Sequence, residues 1–158
     1  MAELQTKLRE SGADVRWEST EKFHATIKFL GNTEENAIPS ITSAIGNILR
    51  RHSSFEVSYR ELGCFPRLPQ GVLVGGQASM KRPRVIWIGC ENNDGTLANI
   101  KTALDEALLP FGFAKEEREF HPHVTLGRVK SSRGMQDLTP LLQTLTFEPS
   151  RFGGFRCN

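Results

Sequence analysis

The sequence predicts an α+β fold built as two small lobes, and three observations predict it. Apolar spacing switches between helical and strand periods in the order α-β-β-α-β-β-α-β-α-β. A His-x-Thr stretch occurs once in each half of the chain. No glycine-rich phosphate loop follows a strand, which removes the dinucleotide-binding and P-loop folds. A chain of 158 residues has the length of one domain with a sizeable core, so 1–158 is expected to be a single domain of two lobes.

The elements follow in order. Leu4 and Leu8 lie one helical turn apart in Ala2 to Arg9, and Ser11-Gly12 supplies the stop. Asp14 to Trp17 alternates like a short strand. From Lys22 to Leu30, Phe23, Ala25, Ile27 and Phe29 fall on one face of an extended chain. His24, Thr26 and Lys28 fall on the other, so a half-buried strand with a polar face is expected there. Thr33 can cap a helix that runs to Arg51, with Ile38, Ile41, Ile45, Ile48 and Leu49 as its apolar stripe. Phe55 to Leu62 reads as a strand, and Arg84 to Cys90 as another with both faces apolar. Between them, Arg67 to Arg82 is a long connection or an extra hairpin with basic ends. Asp94 caps a helix reaching about Leu109, with Leu97, Ile100, Leu104 and Leu108 inward. Pro122 cannot donate to a ladder, so a strand begins near it. Gly134 to Gln143 is a short helix, and Phe147 to Cys157 approaches a final strand, with Phe152 and Phe155 needing burial.

Composition narrows the function classes. No apolar run approaches the length that spans a membrane, and Met1 to Leu8 lacks the apolar centre of a signal peptide. Cys64, Cys90 and Cys157 are an odd number with no Cys-x-x-Cys, which reads as reduced thiols in a cytoplasmic protein. A net charge of +2 allows a nucleic-acid partner without arguing for one.

The doubled motif carries the chemistry. Phe23-His24-Ala25-Thr26 runs on to Gly31, and Phe120-His121-Pro122-His123-Val124-Thr125 runs on to Gly127-Arg128. One copy alone would be an ordinary half-exposed strand histidine beside a strand-favouring threonine. Two copies in similar surroundings point to a site. On a strand, His and Thr at i and i+2 project the same way, about 7 Å apart. Imidazoles titrate near neutrality, so two can serve as base and acid. Hydroxyls can donate to non-bridging phosphate oxygens. In-line attack at phosphorus needs such a pair at opposite ends. His121 and His123 form a His-x-His pair, but no nearby Cys, Asp or third His completes a metal site, so no metal is assigned. His52 reads as a helix-end cation, and Phe65 and Phe120 as core residues or stacking partners for bases.

His24-Ala25-Thr26 through Gly31, with Pro122-His123-Val124-Thr125 through Arg128, closely resembles the 2H phosphoesterase superfamily. Within it the chain is most similar to the RNA 2′,3′-cyclic phosphodiesterases, also called 2′-5′ RNA ligases. Ala13 to Trp17, Gly63 to Pro66 and Pro83 to Gly89 resemble that family too. The resemblance implies two pseudo-symmetric lobes, each with a small antiparallel sheet and helices, and an active-site cleft between them. It implies hydrolysis of RNA 2′,3′-cyclic phosphate ends, tRNA fragments among them, to 2′-phosphates without metal or cofactor. His24 would then be the acid at the departing 3′ oxygen and His123 the base that activates water. Thr26 and Thr125 would hold the phosphate, and Arg128 would add charge to its stabilisation. Arg128 lies at an odd offset from His123, so strict alternation aims it away from the cleft unless the strand ends or bulges.

Three departures from the family pattern stand out. The chain starts inside the first helix, stops at Asn158 short of a usual strand, and carries a longer Arg67 to Arg82 connection. Missing terminal strands would leave sheet edges open to strand-mediated association. Two other readings of the same residues are a non-catalytic module for RNA ends or nucleotide phosphates, and ligation as the reverse reaction.

Overall fold

The structure, a computed structural model, describes residues 1–67, 83–147 and, as backbone alone, 150–155. The Arg67 to Arg82 connection after Arg67, the Cys157 thiol, and the side chains of Phe152 and Phe155 lie outside the described residues. Among the described residues there are four α-helices: α1 Ala2–Arg9, α2 Ile38–Leu49, α3 Thr96–Leu108 and α4 Met135–Thr144. The strands are β1 Val15–Trp17, β2 Phe55–Phe65, β3 Val85–Glu91, β4 His123–Val129 and β5 Ser150–Phe155. They belong to one sheet in the order β1-β4-β3-β2-β5, with β4 antiparallel to both β1 and β3. The α+β class predicted from the periodicities is borne out, and so is the final strand after Phe147.

The chain divides into two compact units. One takes the described residues of Met1–Ala25, Tyr59–Cys90 and His123–Ser150. The other takes those of Thr26–Ser58, Glu91–Pro122 and Arg151–Asn158. In the first unit α1 packs on α4. Leu8, Ile86, Ile88, Val124, Leu126 and Leu138 are its fully buried side chains of aliphatic type. Burying each contributes about 1.5–3 kcal/mol relative to leaving it in water. In the second unit α2 packs on α3 through Ile41, Ile48, Ile100, Leu104 and Leu108.

Two expectations need correction. Thr33 does not cap α2: its hydroxyl reaches only the Gly31 carbonyl at 3.5 Å, and a 3-10 turn, Glu35–Ala37, precedes the helix. Pro39 explains the delay, because a residue without an N–H fits the first helical turn and breaks any turn deeper inside. Nor does Lys22 to Leu30 form a strand. A 3-10 turn occupies Thr20–Lys22, and Ala25 makes a single bridge to Val124. From Thr26 onward the chain belongs to the second unit, where Ile27 and Leu30 join the apolar cluster while Phe29 is 84% exposed. Asp94 lies one residue before the N-cap of α3, which is Gly95, but still reaches the first turn. Its carboxylate accepts the Thr96 N–H at 2.8 Å, and bonds from the Thr96 side chain and then from that N–H hold it below the usual carboxylate range.

Lys28 is not part of a polar face turned to solvent. Its ammonium donates to Asp105 Oδ1 at 2.5 Å and to the Ala114 carbonyl at 2.8 Å. Lys101, one turn before Asp105, donates to Oδ2 at 2.6 Å. The Lys28 and Asp105 side chains are 6% and 5% exposed. Burial pushes the Asp105 carboxyl up, and the bonds from Lys101 and Lys28 more than offset this, so its pKa lies below the ordinary value. Burial alone drives the Cys90 thiol up to about 12, which keeps it protonated and inert.

Replacing Asp105 by Ala leaves two ammonium groups buried without their counter-charge. The expected loss is about 3–5 kcal/mol of unfolding free energy, read from urea denaturation. A depressed folded pKa stabilises fully above the unfolded value of 3.8 and is lost as pH falls through the folded value. Asp105→Asn therefore flattens the acid limb of the stability profile below about pH 4.

Candidate active site

The site is built around β4, which is paired on both edges. β3 lies along one edge, and β1 followed by the Ala25 bridge lies along the other. Ala25 and Val124 are the middle residues of the two His-x-Thr motifs, so the bridge joins the motifs centre to centre. Its antiparallel sense sets the backbone of His24 beside that of Thr125. His24, His123, Thr125 and Arg128 all belong to the first unit, and Thr26 is the first residue of the second.

His24 is exposed, and its Nδ1 donates to the Lys22 carbonyl at 2.8 Å. A carbonyl only accepts, so Nδ1 is the nitrogen that carries the proton of this bond. His123 is half-buried against aromatic rings. The Phe65 ring meets it edge-on at 5.1 Å, and Trp87 stands 6.0 Å away. Phe65 and Trp87 are themselves in contact at 5.1 Å. Gly63 makes room for this packing: a Cβ there would lie 2.4 Å from Trp87 Cζ2. Thus Gly63 to Pro66 and Pro83 to Gly89 supply the bed on which the imidazole rests.

The register of β4 settles the face of Arg128. His123 pairs with Gly89 and Thr125 with Trp87, but Gly127 pairs with Ile86 and Arg128 with Val85. Leu126 is therefore one extra residue, a β-bulge. Leu126 and its neighbour Gly127 are both buried, which breaks the alternation at the same point. Val85, Trp87 and Gly89 share a face of β3, so Arg128 joins the face of His123 and Thr125. The bulge supplies what strict alternation denied.

Charge on that face is unevenly balanced. Arg16 of β1 is the direct partner of Arg128, and like charges placed opposite one another repel. Glu18 offers a carboxylate 3.8 Å from Arg128 Nε. The two motif glycines serve different ends. Gly31 takes a left-handed turn at φ +66°, whereas Gly127 leaves space for Val15 and Trp17, which a Cβ would meet at 2.6 and 2.8 Å. Among the described residues no three His, Cys, Asp or Glu side chains are grouped to hold a metal ion, and no helix is long and apolar enough to cross a membrane.

Two contributors escape a reading of the sequence by motif. Trp87 looks like one more apolar residue of a buried strand. Gln5 lies between Leu4 and Leu8 on the buried side of α1, where a polar residue is the only signal.

The family model described as the 2′-5′ RNA ligase superfamily matches residues 3–154. A relative from Aeropyrum pernix, named RNA 2′,3′-cyclic phosphodiesterase, is 32% identical over 145 residues, covering 92% of this chain and 74% of that one. A relative of the same name from Methanothermobacter thermautotrophicus is also 32% identical over 145 residues, covering 92% of this chain and 71% of that one. The crystal structure of TT0787 from Thermus thermophilus superposes with a TM-score of 0.63 at 19% identity, over 97% of this chain and 76% of that one, a likeness of fold.

Gly63→Ala forces the Trp87 ring, 1% exposed, out of its place. The expected result is a loss of about 1–3 kcal/mol in thermal unfolding and a changed near-ultraviolet tryptophan signal.

Proposed function

Because the chain belongs to the 2′-5′ RNA ligase superfamily, we propose that it hydrolyses RNA 2′,3′-cyclic phosphate ends to 2′-phosphates, using His24 and His123 as an acid-base pair. The centre-to-centre bridge between the two motifs carries this reading. The names of the Aeropyrum and Methanothermobacter relatives supply the substrate class.

In this reading a water oxygen attacks phosphorus as His123 takes its proton. The bond from phosphorus to O3′ breaks, and His24 delivers a proton to O3′ from Nε2. The Nδ1 bond to the Lys22 carbonyl favours that role, since it orients the ring and leaves Nε2 for the leaving group. The hydroxyls of Thr26 and Thr125 donate to the non-bridging oxygens. Arg128, brought round by the bulge, offsets the charge that gathers on them in the transition state. The two imidazoles account for both proton transfers, so the chemistry closes on the chain's own residues. Ligation of a 2′-phosphate end is the reverse passage through the same site, and the name of the matching family keeps that direction in the assay.

The test is a short RNA ending in a 2′,3′-cyclic phosphate, incubated with EDTA, with the product phosphate located by phosphorus NMR. Wild type is expected to yield the 2′-phosphate. His24→Ala and His123→Ala should each lower kcat/KM by about 100-fold or more while still binding the RNA. A folded wild type that binds the RNA without turnover would replace the enzyme by a binding module.

A further inference from the structure

The geometry points to Gln5 as the residue that positions Arg128 by bracing the β4 bulge. This rests on reading Arg128 as a ligand of the reacting phosphate.

A bulge is held only if its freed backbone groups find partners. At Leu126 the carbonyl accepts two bonds. One comes from the Glu18 N–H at 3.0 Å, and the other from Gln5 Nε2 at 2.9 Å. The second hydrogen of the same amide goes to the Glu18 carbonyl at 2.7 Å. Gln5 thus ties the extra residue of β4 to the chain just beyond β1. Its own orientation is fixed from the other end, where Arg9 Nη2 donates to Oε1 at 3.3 Å. Arg9 in turn lies over the Trp17 ring, 5.6 Å from its centroid. With Oε1 held by a donor, the NH2 must face the two carbonyls. Gln5 is 5% exposed, so water cannot stand in for it.

The consequence reaches Arg128 two residues later. If Leu126 were drawn back into regular alternation, Arg128 would turn away from His123 and Thr125. Gln5 touches none of those three residues in any bond described above, so its effect passes through the backbone of 126–128 and through Glu18, whose carbonyl it holds and whose carboxylate faces Arg128. It is a positioning residue, and a double-mutant cycle separates that role from general support of the fold.

The cycle compares wild type, Gln5→Met, Arg128→Ala and the double variant on the cyclic-phosphate RNA. Methionine keeps the volume and loses both donors. Arg128→Ala is expected to lower kcat/KM about 100-fold. Gln5→Met alone should lower it by about tenfold or more, and should add nothing in the Arg128→Ala background. Equal losses in both backgrounds, or none in wild type, would overturn the inference. A second readout is independent of turnover: the Arg128 Nε–Hε resonance should move in Gln5→Met, and an unmoved resonance would also overturn it. An inactive wild type would instead defeat the proposed reaction, leaving that resonance to decide the role of Gln5. Should Gln5→Met fail to fold, Gln5→Glu takes its place. Its carboxylate donates to neither carbonyl but regains one donor when protonated. Its activity relative to wild type should rise as pH is lowered, and a constant ratio would count against the brace.

Discussion

β4 is hydrogen-bonded on both edges, so its register is fixed twice over. The extra residue at Leu126 must be absorbed inside it. A free edge strand could shed such a residue by slipping one position, but here a slip would turn every side chain of β4 to the other face. Val124 and Leu126 would leave the core, at about 1.5–3 kcal/mol each. The core therefore locks the irregularity in place, and the irregularity decides what the polar face displays.

That face is stiffened from below by aromatic packing. His123 rests against Phe65 and Trp87, and Trp87 is itself confined by Gly63. A ring held this way loses little freedom when a substrate arrives, which lowers the entropic cost of binding. His24 is held differently, by one bond to a backbone carbonyl two residues earlier, on an exposed turn. The two imidazoles of the repeated motif thus sit in unlike surroundings, one packed and one wet.

Much of the fold was legible because periodicity reports burial directly. α1, α3, α4, β3 and the start of β4 lie within a residue or two of the spans that spacing predicts. The misreadings have local causes. Pro39 moves the start of α2 past a plausible cap, because a missing N–H outweighs a threonine hydroxyl. The alternation from Phe23 to Leu30 looks like a strand, yet the chain passes from one compact unit to the other at Thr26. Lys28 reads as solvent-facing because its partner Asp105 is distant in sequence and no spacing rule links them. His24, Thr26, His123 and Thr125 stand out as a repeated pattern. The face of Arg128 was not legible, since a bulge is a property of pairing between strands and parity along one strand cannot reveal it.

The tie between Lys28 and Asp105 has a consequence for motion. Thr26 sits two residues before Lys28 on a stretch with no ladder of its own, the kind of backbone that ordinarily opens easily. Lys28 instead anchors that stretch to the last turn of α3 and to the Ala114 carbonyl beyond its end. Local opening around Thr26 that reaches Lys28 must then break a buried charge pair or take α3 with it. A segment irregular in shape is thereby tied to a packed helix.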